Sequence, residues 1–422
     1  MGKSRLINSI EILSVGTELL MGQIVNTNAA FLAGELMKIG IPSYYQSVVG
    51  DNKDRLEAAI RFSLERSDAV ILTGGLGPTS DDITMETAAK TAGMTLVFHQ
   101  DIADMICSYF DKLNRDMAKN NLKQAMLPAE CITLANNVGT APGAIIETGD
   151  KTIIMLPGPP NEMRHMFNES VKPYLEHLAP IKILSRFIKL FGVGESQAES
   201  MIKDLIDSQT NPTIAPYCSE GECMFRVSFT QDKVSSEDNE QGFKNLIDTL
   251  KGRFGDFIYE IGDRNMPHVV FDMLRQAGRT VSFAESCTGG LAASMLSAIP
   301  GASEVLTGGV VAYRNDIKEK VLGVPGEILS AHGAVSERTA EAMAEGCRKL
   351  MDADYAVSIT GIAGPGGGTE HKPVGLVYIC LAGPDGNRTS ELHLAGDRSR
   401  IRYIASLNAF DLLRRTLLDG HQ

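Results

Sequence analysis

Short apolar runs that each end in a turn rich in glycine or proline recur along this 422-residue chain, with helical patterns between most of them. The run Ile10-Glu11-Ile12-Leu13-Ser14-Val15 meets Gly16, and Ala69-Val70-Ile71-Leu72 meets Thr73-Gly74-Gly75-Leu76-Gly77-Pro78. Positions 152–156 meet Pro157-Gly158-Pro159-Pro160, and positions 355–359 meet Thr360-Gly361. Runs this short suit strands, and the lack of polar alternation means that both faces are covered. A mainly parallel sheet flanked by helices provides that. Helical spacing fills the gaps at 28–39 (Ala29, Leu32, Leu36, Ile39) and 54–65 (Leu56, Ile60, Leu64), with a strand expected at 43–49. Segments 68–74 and 354–361 look alike, each a strand feeding a glycine-rich loop. With one copy per half, they reflect shared local physics rather than a periodic repeat.

The length exceeds one hydrophobic core. The fold class read from these patterns is α/β: two α/β domains with mainly parallel sheets, over 8–172 and 263–420, joined by a small α+β module over 173–262. Within the module, 182–191 reads as a strand, 196–206 as a helix and 223–229 as an alternating strand. There 231–241 reads as a polar surface loop and 243–250 as a helix. The last block offers a helix at 269–276, a strand at 280–284 and a helix opening at Leu291. A glycine-bearing strand at 305–313, a helix at 336–351, strands at 355–359 and 374–381, and a closing helix at 399–418 follow.

A net charge of −12 argues against a nucleic-acid backbone as the main partner. The seven cysteines include no C-x-x-C pair, which suits reduced thiols in a cytoplasmic protein. The start, Met1-Gly2-Lys3-Ser4-Arg5-Leu6, lacks the apolar stretch of a signal peptide. No apolar run is long enough to span a bilayer.

Two sets of residues carry chemistry. In the first block, Gly74, Gly75 and Gly77 allow a ligand to approach the backbone, and exposed amides suit a phosphate. Asp81 and Asp82 follow at once, and paired carboxylates suit a divalent cation bridging that phosphate. Glu18 and Glu162 also follow turns at strand ends, so four carboxylates are candidates for one metal–phosphate site. Asp81 has an alternative role as a helix N-cap, and Glu18 and Glu162 have alternatives as structural or solvated groups.

In the last block, Ser286 stands where a strand gives way to the helix start Thr288-Gly289-Gly290. A serine there is exposed beside amides that can hold an oxyanion, and it needs a base. His268, His332, His371 and His393 lie outside the motifs, which leaves Lys318, after Tyr313-Arg314-Asn315-Asp316-Ile317, as the candidate. A buried lysine can lose its charge and act as base, and Ser–Lys pairs are known variants of the serine triad. Ser286 as a helix N-cap, Lys318 as a solvated charge and Cys287 as the nucleophile remain alternatives. Arg398 and Arg402 stand one helical turn apart, with the fork geometry that phosphate takes, and a solvated helix face is the alternative for each.

The strings Gly16-Thr17-Glu18-Leu19-Leu20-Met21-Gly22, Asn26-Thr27-Asn28, Thr73-Gly74-Gly75-Leu76-Gly77-Pro78-Thr79-Ser80-Asp81-Asp82 and Leu156-Pro157-Gly158-Pro159-Pro160-Asn161-Glu162-Met163 resemble the competence/damage-inducible CinA family. So do Gly192-Val193-Gly194-Glu195-Ser196 and Thr213-Ile214-Ala215-Pro216-Tyr217 of the middle block. In the last block Ala284-Glu285-Ser286-Cys287-Thr288-Gly289-Gly290, Tyr313 to Lys318, and Ile359-Thr360-Gly361-Ile362-Ala363-Gly364-Pro365-Gly366-Gly367 resemble its nicotinamide-nucleotide amidase domain. The resemblance implies a first domain like molybdopterin-binding proteins. That domain would be a metal-assisted ADP-ribose pyrophosphatase with Asn28 and Gly158 beside the glycine loop, or a pterin binder. A divalent metal and a monovalent cation are the cofactors expected there. The middle module would be KH-like, yet no GXXG loop is placed between helices there to clamp nucleic acid.

For the last domain the resemblance implies that Ser286 and Lys318 are the catalytic pair hydrolysing nicotinamide mononucleotide without a cofactor. Tyr313 and Asn315 would orient the lysine, and amides near Thr288, Gly289 and Gly290 would hold the oxyanion. Thr360, Gly364 and Gly366 would shape the nucleotide site, and Arg402, with Arg398, would take the phosphate. Small nucleotides as partners and a homodimer are further implications. A non-catalytic scaffold linked to competence or DNA damage is the contrasting expectation.

Overall fold

The computed structural model describes residues 6–219, 221–232 and 238–419, and the chain forms two compact units. One comprises 1–185 with 229–240, the other 186–228 with 241–422. The expectation for Met1 to Arg5 lies outside the described residues.

The first unit is built on a six-stranded sheet ordered Gln46–Val49, Ile10–Val15, Ala69–Thr73, Lys151–Leu156, Gly143–Thr148, Ile132–Leu134. The first four strands are parallel and the last two antiparallel. Every residue of Ile10–Val15 and Ala69–Thr73 is buried, because the period-2 pleat feeds two cores. Ile10, Ile12 and Ile71 pack with Ala29, Leu32 and Leu36 of helix Thr27–Lys38. Leu13, Val15, Val70 and Leu72 pack with Leu56 and Ile60 of helix Lys53–Arg66. Cutting a fully buried leucine such as Leu32 to alanine costs about 2–5 kcal/mol in sites of this kind. Glu11 breaks the apolar run and is 1% exposed; Arg66 grips its carboxylate at 2.7 and 2.8 Å.

The second unit holds a five-stranded sheet ordered Leu306–Val311, Val281–Glu285, Tyr355–Gly361, Leu376–Gly383, Gly386–His393. Three strands are parallel, and two complete an antiparallel edge. Alternation again splits the strands between faces. Phe283 and Val357 meet Phe271, Phe410 and Leu413 from helices Met266–Ala277 and Arg398–Asp419. Ala284 and Ala356 meet Met343 and Cys347 of helix Glu337–Met351. Asn265 caps the first of these helices by accepting from the His268 amide, and Ser336 caps the last by accepting from Thr339. The long closing helix is fixed at its far end by Arg414, which donates to Asp256 O and Ile258 O at 3.1 and 3.4 Å.

The small module carries a sheet ordered Thr213–Ser219, Glu222–Asp232, Ile181–Leu190, Ile258–Ile261. Cys223, Phe225, Val227 and Phe229 point inward at period two. Two expectations change here. The helix expected over 196–206 is two, Glu195–Met201 and Lys203–Asp207, with Ile202 outside helical geometry between them. The polar loop expected over 231–241 contracts: the strand runs to Asp232 and a helix begins at Asp238. What remains, 233–237, lies outside the described residues. Among the described residues no helix is long and apolar enough to cross a membrane.

Candidate functional sites

The carboxyl ends of Ile10–Val15, Ala69–Thr73 and Lys151–Leu156 frame a cavity of about 560 Å³ in the first unit. Crevices at such strand ends are where open parallel sheets bind ligands. Gly74 and Gly75 adopt left-handed φ of 101° and 66°. A Cβ on Gly74 would collide with the Val15 carbonyl, and one on Gly75 with the Thr84 hydroxyl. Thr84 fastens the turn by donating to Gly74 O at 2.7 Å. The amides of Gly75, Leu76 and Gly77 have no hydrogen-bond partner among the described residues, so the turn offers unspent donors. Asn28 donates to Gly158 O at 2.7 Å and ties two of the predicted site residues together.

Glu18, Asp81, Asp82 and Glu162 all line this cavity, but they do not form the expected four-carboxylate site. Among the described residues, no three acidic, histidine or cysteine side chains converge as a metal-holding group. Neighbouring donors hold three of these carboxylates. Thr79 donates its hydroxyl to Asp81 and Asp82 and its amide to Asp82 at 2.9 Å. The Thr79 hydroxyl bond holds the Asp81 carboxyl below the usual range. Asn136 donates to Glu162 at 2.6 Å, and burial pushes that carboxyl up despite the bond. Lys123 staples the 79–82 turn by donating to Asp82 O at 2.7 Å and to Thr79 O. Asp81 and Asp82 each keep one carboxylate oxygen without a hydrogen-bond partner among the described residues, beside open amides. Magnesium commonly takes one or two carboxylates and draws its other ligands from phosphate and water. The pair therefore fits a divalent cation that arrives with a diphosphate, and does not fit an ion caged by protein alone.

In the second unit Ser286 follows the end of strand Val281–Glu285, and its amide donates to Ile359 O at 2.9 Å on the neighbouring parallel strand. Lys318 comes from helix Asn315–Leu322 and is 1% exposed. Its Nζ lies 3.1 Å from Ser286 Oγ, 2.8 Å from Ala312 O and 3.3 Å from Tyr313 O. Burial pushes the amine below the usual lysine range, and no carboxylate pairs with it among the described residues. A neutral amine has two N–H groups for the two carbonyls and one lone pair for the Ser286 hydroxyl. Cys287 is 6% exposed, and burial pushes its thiol up to about 11, so it stays protonated near neutrality.

The turn after Ser286 carries Gly289 and Gly290 at left-handed φ of 62° and 91°. Both of their amides are engaged, contrary to the expectation that they hold an oxyanion. Gly289 donates to Ser286 O at 3.1 Å and Gly290 to the Glu285 carboxylate at 2.9 Å. The amides of Cys287 and Thr288 have no backbone or carboxylate acceptor among the described residues. Arg402 grips Thr288 O through Nη2 at 2.6 Å. Arg398 joins Gly364 O to the Tyr313 hydroxyl, at 2.8 Å each. The arginines predicted for phosphate thus organise the loops around Ser286, which they reach with only part of their donor sets. Thr360 donates to Ala334 O at 2.7 Å, and Gly366 stands in open space. Asn315 is exposed and makes no hydrogen bond to Lys318; the carbonyls of Ala312 and Tyr313 hold the lysine instead.

A protein of Acetivibrio thermocellus named as competence-damage inducible is 47% identical over 411 residues, covering 97% of this chain and 98% of its own. A CinA-like protein of Dictyoglomus turgidum is also 47% identical, over 409 residues, with 97% and 99% covered. The chain belongs to the CinA family. Its models match in order: a probable molybdopterin binding domain over 11–177, the damage-inducible protein CinA KH domain over 185–259, and the CinA C-terminal domain over 263–417. The crystal structure of the protein CinA with unknown function from Thermoplasma acidophilum is 40% identical with a TM-score of 0.37, covering 39% of this chain and 97% of that one.

Within this CinA-family chain, sequence reasoning passed over several residues that shape the sites. Glu285 stands only within a motif string, and no local signal marks it, since it reaches the helix start from the preceding strand rather than from a capping position. Thr79, Lys123 and Asn136 gave no such signal, since their partners depend on how turns close.

Proposed function

We propose that the C-terminal domain hydrolyses the carboxamide of nicotinamide mononucleotide, with Ser286 as nucleophile and Lys318 as its base. The observation that carries this reading is the buried, uncompensated Lys318 amine 3.1 Å from the Ser286 hydroxyl. Neutral Lys318 takes the hydroxyl proton as Ser286 Oγ attacks the carboxamide carbon. The lysine returns that proton to the departing nitrogen, ammonia leaves, and an ester links substrate to Ser286. Water, deprotonated by the same lysine, then attacks the ester carbon; the bond to Ser286 Oγ breaks, the lysine returns the proton to that oxygen, and nicotinate mononucleotide leaves. The family membership supports the assignment, and the high-lying Cys287 thiol weighs against the rival nucleophile. The test is ammonia release from nicotinamide mononucleotide by the purified chain in EDTA. Release by the native chain and none by Ser286→Ala supports the reading; release by Ser286→Ala sinks it.

For the N-terminal domain we infer metal-assisted cleavage of a diphosphate nucleotide of the ADP-ribose class. The open amides of Gly75, Leu76 and Gly77 would cradle phosphate. Asp81 and Asp82 would hold a divalent cation, which when bound would neutralise phosphate charge. Phosphate release from ADP-ribose after coupling to a phosphatase, with and without magnesium, tests this. Turnover unaffected by removing Asp81 and Asp82 counts against it.

A further inference from the structure

Glu285 has no place in the mechanism above, yet it is 1% exposed and directly precedes Ser286. No cation pairs with it among the described residues. Its carboxylate instead accepts three amides at the start of helix Leu291–Ser297: Gly290 at 2.9 Å, Ala292 at 3.2 Å and Ala293 at 2.8 Å. The first amides of a helix are the natural place for an anion, and in many hydrolases the amides after the nucleophile hold the oxyanion. Here the chain fills the helix start with its own charge.

Most of the amides on the 286–290 turn are already engaged. The Ser286 amide is committed to Ile359 O, Gly289 to Ser286 O and Gly290 to Glu285. The Cys287 and Thr288 amides have only the Cys287 sulfur to donate to, a weak acceptor that a developing oxyanion would outcompete. Arg402 on Thr288 O holds the same turn from the other side.

We propose that Glu285 is a positioning residue for the amidase reaction: by occupying the amides of Gly290, Ala292 and Ala293 it locks the 286–290 turn and leaves Cys287 and Thr288 to donate to the oxyanion. The assignment rests on the amidase reading and adds the residue that decides which amides serve it. A carboxylate at the helix start also refuses a substrate phosphate there, so the phosphate of the nucleotide must bind elsewhere on the site's rim.

The test compares the native chain with Glu285→Gln and Glu285→Asp, measuring ammonia release per folded molecule well below each melting temperature. Glutamine keeps the shape but turns an NH₂ group toward amides that need an acceptor. Aspartate keeps the charge on a shorter arm. Loss of oxyanion alignment should lower kcat about 10–100-fold with KM held within about threefold. The rise of rate with pH, set by Lys318, should keep its position. A kcat per folded molecule equal to that of the native chain in both variants overturns the proposal, as does a loss confined to KM. Failure of both variants to fold also overturns it, since the carboxylate would then be a stability element. Absence of ammonia from the native chain would instead remove the amidase reading itself.

Discussion

The turn after Ala69–Thr73 and the turn after Val281–Glu285 begin alike, each a buried parallel strand running into glycines with left-handed backbone. They differ in what is done with the amides. The first turn leaves Gly75, Leu76 and Gly77 unspent and keeps its carboxylates on the rim of an open cavity. The second is filled by Glu285 from within, leaving two amides beside Ser286. An open cradle suits a ligand that brings its own charge and its own cation. A filled one suits a neutral carboxamide, for which strong anion-binding groups would be wasted on the ground state and are needed only as charge develops.

The sharpest way to break this contrast is to disable one turn and watch the other. Ser286→Ala or Lys318→Ala should lower ammonia release by at least about 10³-fold while diphosphate cleavage stays at the native rate. A fall in both would mean that the two sites do not act separately. Next in size, Asp81→Ala with Asp82→Ala should reduce magnesium-dependent diphosphate cleavage by roughly 10²-fold or more and leave ammonia release within about twofold. Unchanged cleavage would remove Asp81 and Asp82 as the cation's holders and count against the reading of this turn.

A smaller effect concerns pH. Burial depresses the Lys318 amine, so the active neutral form appears as pH rises through a value below the usual lysine range. The rate should climb with pH through that ionisation and then level. The same shift affects stability with a definite sign. Between the folded and the ordinary lysine pKa the unfolded chain binds more protons, so this group's contribution to stability improves as pH rises across that window. Lys318→Met should abolish activity and raise stability near neutral pH by about 1 kcal/mol, read from thermal melts. A melting temperature that falls would show the amine to be better compensated than its three oxygen neighbours suggest. The smallest effect is expected for Cys287→Ala. With the thiol pushed up to about 11, its loss should change kcat by no more than about threefold, while a severe loss would restore the thiol as nucleophile.

The frame of both turns is legible in the sequence, though the difference in how their amides are used is not. Short apolar runs ending in glycines predict buried strands, and Ser286 and Lys318, 32 positions apart, do meet. What escaped is what the pleat and the turns decide together. Glu11 sits within an apolar run and finds Arg66 across 55 positions, a pairing no local pattern encodes. The carboxylates Glu18, Asp81, Asp82 and Glu162 share a cavity, as their positions at strand ends suggest, but Thr79 holds Asp81 and Asp82 and Asn136 holds Glu162. Asn315 lies one helical turn from Lys318, near enough in sequence to suggest contact, yet it remains exposed at the helix start.

The closing helix Arg398–Asp419 has 22 residues and so spans about 33 Å. Near its beginning Arg402 and Arg398 hold the Thr288, Tyr313 and Gly364 groups around Ser286; near its end Arg414 holds the backbone at Asp256 and Ile258. It works as a tie-rod: a displacement at either anchorage is carried along a stiff element to the other, so the loops around Ser286 and strand Ile258–Ile261 are mechanically one part.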